Sequence, residues 1–440
     1  MGFMNGLKTD LYQLTMSAGY FQAGKLDEIA TFELFVRRLP PSRNFLIAAG
    51  LAQAVEYLLD LSYTSEEIDY LRSLPQFTKS PPGFFDYLAR LRFHGDVDAV
   101  PEGTPIFGGE PVLRVRAPLV EAQIPETYLL SVINFQTMIA TKAARLVEAS
   151  GGRTVVEFGT RRAHGPEAGI LAARASYIGG CAGTSNVEAG YRFGIPVFGT
   201  AAHSWVQAFP TEQQAFRELQ KLLGESTVFL IDTYDTLEGA RLAASLGKPL
   251  WGVRLDSGNL LELSRAVRRI LDSAGLKDAR IMTTGDLNEF KILELVAAGA
   301  PIDAFGVGTE LATSADAPTL GGVYKLVELE SDGQKRYTAK LSPDKHTMPG
   351  AKQVFRYARH DEIACASESP GPGGKPLLKP VLRSGKLVEP LPDVRAAREH
   401  ARRCLCELPK ACLSLFAMED PYPVTYTAAQ YALLQTVCQR

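Results

Sequence analysis

Between residues 153 and 312 the chain repeats one unit: a short apolar run, a turn of small or polar residues, then an Ala- or Leu-rich segment with helical spacing. Seven runs read as strands: RTVVEF, the CAGTS turn region, IPVFGT, TVFLID, LWGVRLD, RIMTTGD and DAFGVGT. Helical segments of roughly ten to fifteen residues separate most of them, the arrangement of parallel strands with right-handed crossovers. Seven such units predict an α/β fold with a (β/α) barrel, distorted or one strand short, rather than an open doubly wound sheet. A barrel brings the carboxyl ends of its strands to one face, so polar groups placed there converge.

Those ends are loaded. Within residues 157–205 three turns carry Arg161 with Arg162, Ser185, and His203, and Pro166 opens the first intervening helix. Farther on come Asp232, Arg254 with Asp256, Gly285 with Asp286, and Gly308 with Thr309. The flanks differ. Residues 9–19 read as a helix, 30–37 as a strand, the stretch after Asn44 as a helix, 93–118 as short β runs and 125–150 as a long helix ending at Gly151-Gly152. After Gly322 the runs VYKLVEL, KRYTAKL and KQVFRYA predict an antiparallel meander, and 368–376, ESPGPGGKP, a loop. Residues 393–415 and the TAAQYALLQTVCQ tail read as a helical extension. The expected domains are 1–150, 151–320 and 321–440.

Composition narrows the function classes. With 440 residues, 47 Lys+Arg and 49 Asp+Glu, the formal net charge is -2, so no global basic field draws nucleic acid or anionic lipid. Anions are expected to bind locally. The apolar segment 128–147 is interrupted by Asn134, Gln136, Lys142 and Arg145 and reads as a buried amphipathic helix, not a membrane span. No signal peptide is recognised, and Met1-Gly2 lacks the downstream Ser or Thr of a myristoylation site, so a cytoplasmic protein is expected. The six cysteines, five of them after residue 364, suit reduced thiols. His400, Cys404, Cys406 and Cys412 are spaced too tightly at Cys404 and Cys406 for a usual zinc site, which favours half-buried thiols.

The strand-end inventory has a chemical sense. Arg161, Arg162 and Arg254 offer planar forks for carboxylate or phosphate, and Gly285, Gly306 and Gly308 with Thr309 offer backbone that an anion can approach. Asp232, Asp256 and Asp286 suit Mg²⁺ or sugar hydroxyls, and Phe158 and Tyr12 suit a planar ring. A phosphorylated sugar, a metal-bound diphosphate and an anionic aromatic ring fit this set.

In order along the chain, TDLYQLTM, FGTRRAHG, GTSNV, GTAAHSW, DTYDTLEGA, GVRLDSGNL, TTGDL, FGVGTELATS and KLSPDKHTMPGAKQV closely resemble nicotinate phosphoribosyltransferase, over roughly residues 5–360 and beyond. The resemblance implies a type II phosphoribosyltransferase fold: an irregular (β/α) barrel, an N-terminal α+β domain completed by C-terminal segments, and a homodimer with shared sites. It implies that nicotinate, phosphoribosyl diphosphate, ATP and water give nicotinate mononucleotide, diphosphate, ADP and phosphate, with Mg²⁺, in NAD salvage. His203 matches the family's phosphorylated histidine; otherwise it is a buried hydrogen-bonded imidazole. Arg254 and Thr200 match nicotinate contacts, with an Arg254–Asp256 ion pair as the plain alternative. Phe158 and Arg161 match the pair that stacks on the pyridine and reaches the phosphates, and Tyr12 the ring's other cover from a second subunit; core packing is the alternative for both aromatics.

Ser185 stands where the related nicotinamide enzyme has a carboxylate, so the acid is expected over the amide. Asp256 is expected on ribose or Mg²⁺, and Gly285, Asp286, Gly308 and Thr309 on phosphoribosyl diphosphate, with protein ligands to Mg²⁺ left open. Asp235 with Glu238 and Asp286 with Glu289 equally fit helix capping boxes. Lys345, Lys352 and Gln353 read as a loop reaching phosphate or as plain surface residues. A nicotinamide or quinolinate enzyme on the same fold is the nearest alternative. A Schiff-base aldolase is disfavoured because no Lys stands at these strand ends, and a non-catalytic nucleotide sensor would have no use for both His203 and the ring-binding set.

Overall fold

The computed structural model describes residues 5–342 and 345–439. The chain divides into two compact units: Met1–Thr137 with Thr319–Asp393 and Glu399–Arg440, and Met138–Pro318 with Val394–Arg398.

The first unit is built on a seven-stranded antiparallel sheet in the order Gln334–Tyr337, Gly322–Ser331, Ile29–Val36, Pro111–Pro118, Asp96–Ala99, Lys379–Arg383 and Lys386–Leu387. Ile29–Val36 is buried almost throughout, as its nearly unbroken apolar run requires, and it needs a hydrogen-bonded neighbour on both sides. Pro111–Pro118 supplies one and Gly322–Ser331, from far along the chain, the other. Later segments thus complete the N-terminal sheet.

The expected single meander is corrected. VYKLVEL and the start of KRYTAKL do form a hairpin, but KQVFRYA enters a separate four-stranded sheet ordered Lys375–Pro376, Lys352–Arg356, Asp361–Cys365 and Val424–Tyr426. An ion pair accounts for the change. Lys352 lies buried with its Nζ 2.8 Å from the Glu33 carboxylate and donating to the carbonyls of Met348 and Gly350. Gln353 is likewise used locally, donating to the Leu378 carbonyl and accepting from the Leu378 amide. Neither has the freedom of a phosphate-seeking loop residue. Lys345 is exposed, while Pro343 and Asp344 of the same motif lie outside the described residues.

The second unit carries a six-stranded, wholly parallel sheet: β1 (Thr154–Glu157), β2 (Gly183–Thr184), β3 (Val228–Leu230), β4 (Gly252–Leu255), β5 (Arg280–Thr283) and β6 (Ala304–Val307). Its spatial order is β2-β1-β6-β5-β4-β3, the chain order run round a ring. IPVFGT, expected as a full strand, makes one parallel bridge, Thr184 to Val197. Pro196 has no N–H to give a ladder, and Val197 and Phe198 are exposed, so little holds the segment as a strand. Amphipathic helices cover the sheet; Leu260–Ser273 buries Val267 and Leu271 in a core with Phe216, Phe229 and Ile281.

The long helix runs Glu126–Ala149. Among the described residues no helix is long and apolar enough to cross a membrane. Two of the polar positions that break its apolar run share a buried carboxylate. Lys142, 1% exposed, sits 2.5 Å from Glu289 and 2.8 Å from Asp316, and Arg145 Nε donates to Glu289 at 2.9 Å. Burial alone would raise the Glu289 carboxyl, but the charge of Lys142 and the hydrogen bonds from Lys142 and Arg145 hold it below the usual range. The same contacts overturn the Asp286–Glu289 capping box. Glu289 faces inward, and the cap of helix Glu289–Ala297 is Asn288, accepting from the Lys291 amide.

Replacing one member of a buried charge cluster strands the others, so Lys142→Ala is expected to lower unfolding free energy by about 3–5 kcal/mol at pH 7. Because the folded Glu289 value is depressed, its contribution is present above the ordinary carboxylate range and lost as pH falls through the folded value. Urea melts of both proteins at pH 7 and at acid pH should show the gap narrowing with acid; a gap that stays constant would contradict this account.

Candidate active site

The carboxyl ends of the parallel strands carry a connected set of side chains in the second unit. Arg254, the penultimate residue half-hidden in β4, is its centre. Its Nε donates to Thr284 Oγ1 just after β5 at 2.9 Å, one terminal nitrogen donates to Thr200 Oγ1 at 2.8 Å and to the Ala201 carbonyl at 3.2 Å, and the other meets Asp256 at 2.7 Å. Asp256 also accepts a short bond from the Thr284 hydroxyl. Burial would raise the Asp256 carboxyl, but Thr284, Arg254 and His203 together hold it below its ordinary value, so it is ionised at neutral pH. The ion pair set out as the plain alternative for Arg254 is therefore present.

His203 starts the short helix His203–Gln207. Its Nδ1 lies 3.1 Å from Thr233 Oγ1 and its Nε2 3.7 Å from an Asp256 oxygen, with the side chain 42% exposed. It is not a buried imidazole. Asp232, after β3, accepts from the Asp256 amide at 2.8 Å and the Ser257 hydroxyl at 2.9 Å through one oxygen, while its other oxygen is buried without a partner among the described residues. Such an orphan acceptor is costly unless something meets it.

A second group gathers at β1 and β6. The half-buried Phe158 ring packs with Val156, Met282 and Trp251 and lies over Gly306, where a Cβ would come within 2.6 Å of a ring carbon. Only glycine there lets the ring settle. Gly285 is equally constrained: its φ is +88° and a Cβ would sit 2.0 Å from the Asp256 carbonyl, which holds the 285–286 turn against the β4 end. Asp286 follows, also at positive φ, exposed, with its carbonyl accepting from Lys291. Gly308 and Thr309 follow β6, Gly308 at the cap position of the one-turn helix Thr309–Ala312.

Thr200, His203, Arg254 and Asp256 are thus brought together, with Gly285 packed against the Asp256 backbone. Arg161, on the exposed Thr160–Arg162 turn, makes no hydrogen bond or ion pair among the described residues, and Asp286 and Thr309 are exposed without a bond to the Arg254 set. Ser185 is half-buried beside β2, its amide donating to the Glu157 carbonyl at 2.9 Å. Tyr12 belongs to the first unit, on helix Leu11–Gln22, and is 49% exposed with Leu11 and Met16 for neighbours. Asp10 makes no side-chain cap to that helix; its carboxylate accepts from Thr127 instead. Asp235 does cap its helix, accepting from the Leu237 and Glu238 amides. Among the described residues no three His, Cys, Asp or Glu side chains form a metal cluster.

Three participants were not singled out by sequence. Thr284 and Thr233 bridge the charged groups from inside the TTGDL and DTYDT motifs, but a threonine at a strand end carries no signal of its own. Glu157 was legible in principle, as an acid closing the apolar RTVVE run. It is 1% exposed and accepts from the Gly159 amide and the Thr184 hydroxyl, tying the Phe158–Arg161 turn to the Ser185 turn. Burial raises its carboxyl, and those two bonds counter part of the rise.

Arginine forks, strand-end carboxylates, an accessible histidine and glycine turns on one parallel α/β sheet define a class of enzyme that handles anionic, phosphorylated small molecules. Comparison with known proteins makes this specific. Residues 7–134 match the nicotinate phosphoribosyltransferase N-terminal domain and residues 154–344 the nicotinate phosphoribosyltransferase family. The nicotinate phosphoribosyltransferase pncB2 of Mycobacterium tuberculosis is 44% identical over 96% of this chain and 91% of its own, and that of Bacillus subtilis 46% identical over 80% and 72%. The crystal structure of the human nicotinic acid phosphoribosyltransferase superposes with a TM-score of 0.86 at 29% identity, over 98% of this chain and 100% of that one. The chain belongs to the nicotinate phosphoribosyltransferase family.

Glu157→Ala would leave a buried amide and hydroxyl unpaired and is expected to cost about 1–3 kcal/mol in urea unfolding. Glu157→Gln, which keeps an acceptor for Gly159, should cost less; equal losses would remove the two bonds from this role.

Proposed function

We propose that this chain transfers the phosphoribosyl group of phosphoribosyl diphosphate to nicotinate, giving nicotinate mononucleotide and diphosphate, with ATP hydrolysed alongside. Family membership supports the reaction, and the observation that carries the residue assignment is the Arg254 network. Thr200 and Thr284 align Arg254, and a nicotinate carboxylate would replace Asp256 on its terminal nitrogen. Phe158 offers the pyridine a face, and the Ser185 side chain puts no negative charge near the nicotinate carboxylate. Arg161, exposed and unpaired among the described residues, is assigned to phosphate, together with the 285–286 and 308–309 turns.

No general base is required. The pyridine nitrogen already carries a free lone pair at neutral pH, so the residues must hold it against the anomeric carbon and stabilise positive charge as the C–O bond to diphosphate breaks. We assign ionised Asp256 to favour that charge. The donor set fits Mg²⁺ bound mainly through diphosphate, which calls for only one or two protein carboxylates: Asp232, with its unpartnered buried oxygen, and Asp256. When bound, the ion would neutralise charge on the diphosphate. His203 is assigned the ATP step; Thr233 engages Nδ1, which leaves Nε2 for the phosphoryl group. We assign Tyr12 of a second copy as the ring's other cover in a homodimer, supported by the exposed apolar set Leu11, Tyr12 and Met16. The same reading assigns the protein to the cytoplasm.

The discriminating assay supplies Mg²⁺ and phosphoribosyl diphosphate with nicotinate, nicotinamide or quinolinate in parallel. Nicotinate should give its mononucleotide, faster with ATP, and Ser185→Asp should weaken nicotinate use at least tenfold; absence of product with nicotinate, or no loss in the variant, would refute the respective assignment. His203→Ala should lose ATP stimulation and the acid-labile phosphate while retaining uncoupled transfer. An unchanged ratio of ATP consumed to product formed would exclude His203 from this step.

A further inference from the structure

The first unit holds a cavity of about 740 Å³ lined by none of the residues assigned to pyridine transfer. The Gly- and Pro-rich loop at 368–376, which that chemistry leaves without a role, forms part of its wall. This loop is drawn onto Tyr357: the Gly371 amide donates to the Tyr357 hydroxyl at 3.0 Å, and a Cβ on Gly374 would lie 2.8 Å from the same phenol. Helix Val394–Glu407 contributes His400, Arg403 and Cys404. His400 Nε2 lies 2.9 Å from Thr104 Oγ1 and 3.4 Å from Cys404 Sγ, so a polar, hydrogen-bonded step lies within a lining that also has an apolar part. Leu377, Leu408 and Tyr422 belong to that apolar part.

The charge at this cavity is one-sided. Arg356 is neutralised, its guanidinium held by the buried Asp361 and by the Pro105 carbonyl. Lys375 faces Glu407 at 3.7 Å across exposed surface, a pair of little energetic weight. Among the described residues Lys379 and Arg403 have no carboxylate partner. Two uncompensated cations beside an apolar wall, in a cavity within the roughly 300–1,000 Å³ range of small-molecule sites, call for an anion with a flat apolar body.

We propose that this cavity binds an organic phosphate of mononucleotide size, its phosphate on Lys379 and Arg403 and its ring against the Leu377 and Leu408 wall. Lys379 supplies a mobile point charge and Arg403 a planar fork, a combination suited to a phosphate monoester. The site is separate from phosphoribosyl transfer and does not depend on that assignment.

Calorimetric titration of the full chain with AMP, adenosine and orthophosphate tests it. AMP should bind once per chain, at least tenfold more tightly than either fragment and more weakly as NaCl is raised. The double variant Lys379→Ala/Arg403→Ala should lose at least tenfold in AMP affinity while keeping its melting temperature, whereas Arg161→Ala should leave that affinity unchanged. In the unaltered protein, AMP should slow alkylation of Cys404 as followed by peptide mass. No binding at millimolar AMP, binding that Arg161→Ala removes and the double variant retains, or Cys404 reacting equally at saturating AMP would each overturn the proposal.

Discussion

The pairing of Arg254 with Asp256 is the constraint from which the second unit's site follows. Adjacent parallel strands are laddered along their backbones, but beyond their ends nothing in the ladder fixes where the turns go. Arg254 does so with side-chain bonds, reaching the β5 end through Thr284 and the 200–201 loop through Thr200 and Ala201, while Asp256 receives Thr284 and faces His203. Asp232 joins the β3 end to the same turn. Burying Arg254 or Asp256 alone would be costly, and together the two form a neutral pair. A carboxylate ligand entering this set competes with Asp256 for an arginine whose position is already fixed.

The parallel unit was the most legible part of the chain because its strands are buried on both faces and so read as apolar runs bounded by turn residues. The first unit was less so. Whether KQVFRYA extends a meander or begins another sheet depends on Glu33, about three hundred residues earlier, whose buried charge Lys352 must meet. No local pattern encodes such a pairing. The inward turn of Glu289 escaped for the same reason, since its spacing from Asp286 fits a cap while its partners lie on a distant helix.

At the site, legibility followed residue type. Arginine, aspartate and histidine at strand ends announce themselves by charge, and the ordered motifs named the family. Thr284, Thr233 and Glu157 did not announce themselves, because hydroxyls and one buried acid acquire meaning only from what they touch. Gly306 and Gly285 lie between these cases: a glycine at a strand end was visible, but that one clears space for an aromatic ring and the other for a carbonyl is a fact of packing.

The weakly held IPVFGT segment carries one more consequence. Among the described residues no backbone hydrogen bond joins residues 195–202 to β3, so that edge is crossed by side chains alone, Thr233 to His203 among them. Separating it breaks few hydrogen bonds, of about 1 kcal/mol each, together with the packing of Ala201 and Trp205 on the core that holds Phe229 and Ile231. The backbone ladder is therefore weakest at this edge, next to the histidine, while the neighbouring strands are joined by backbone pairing.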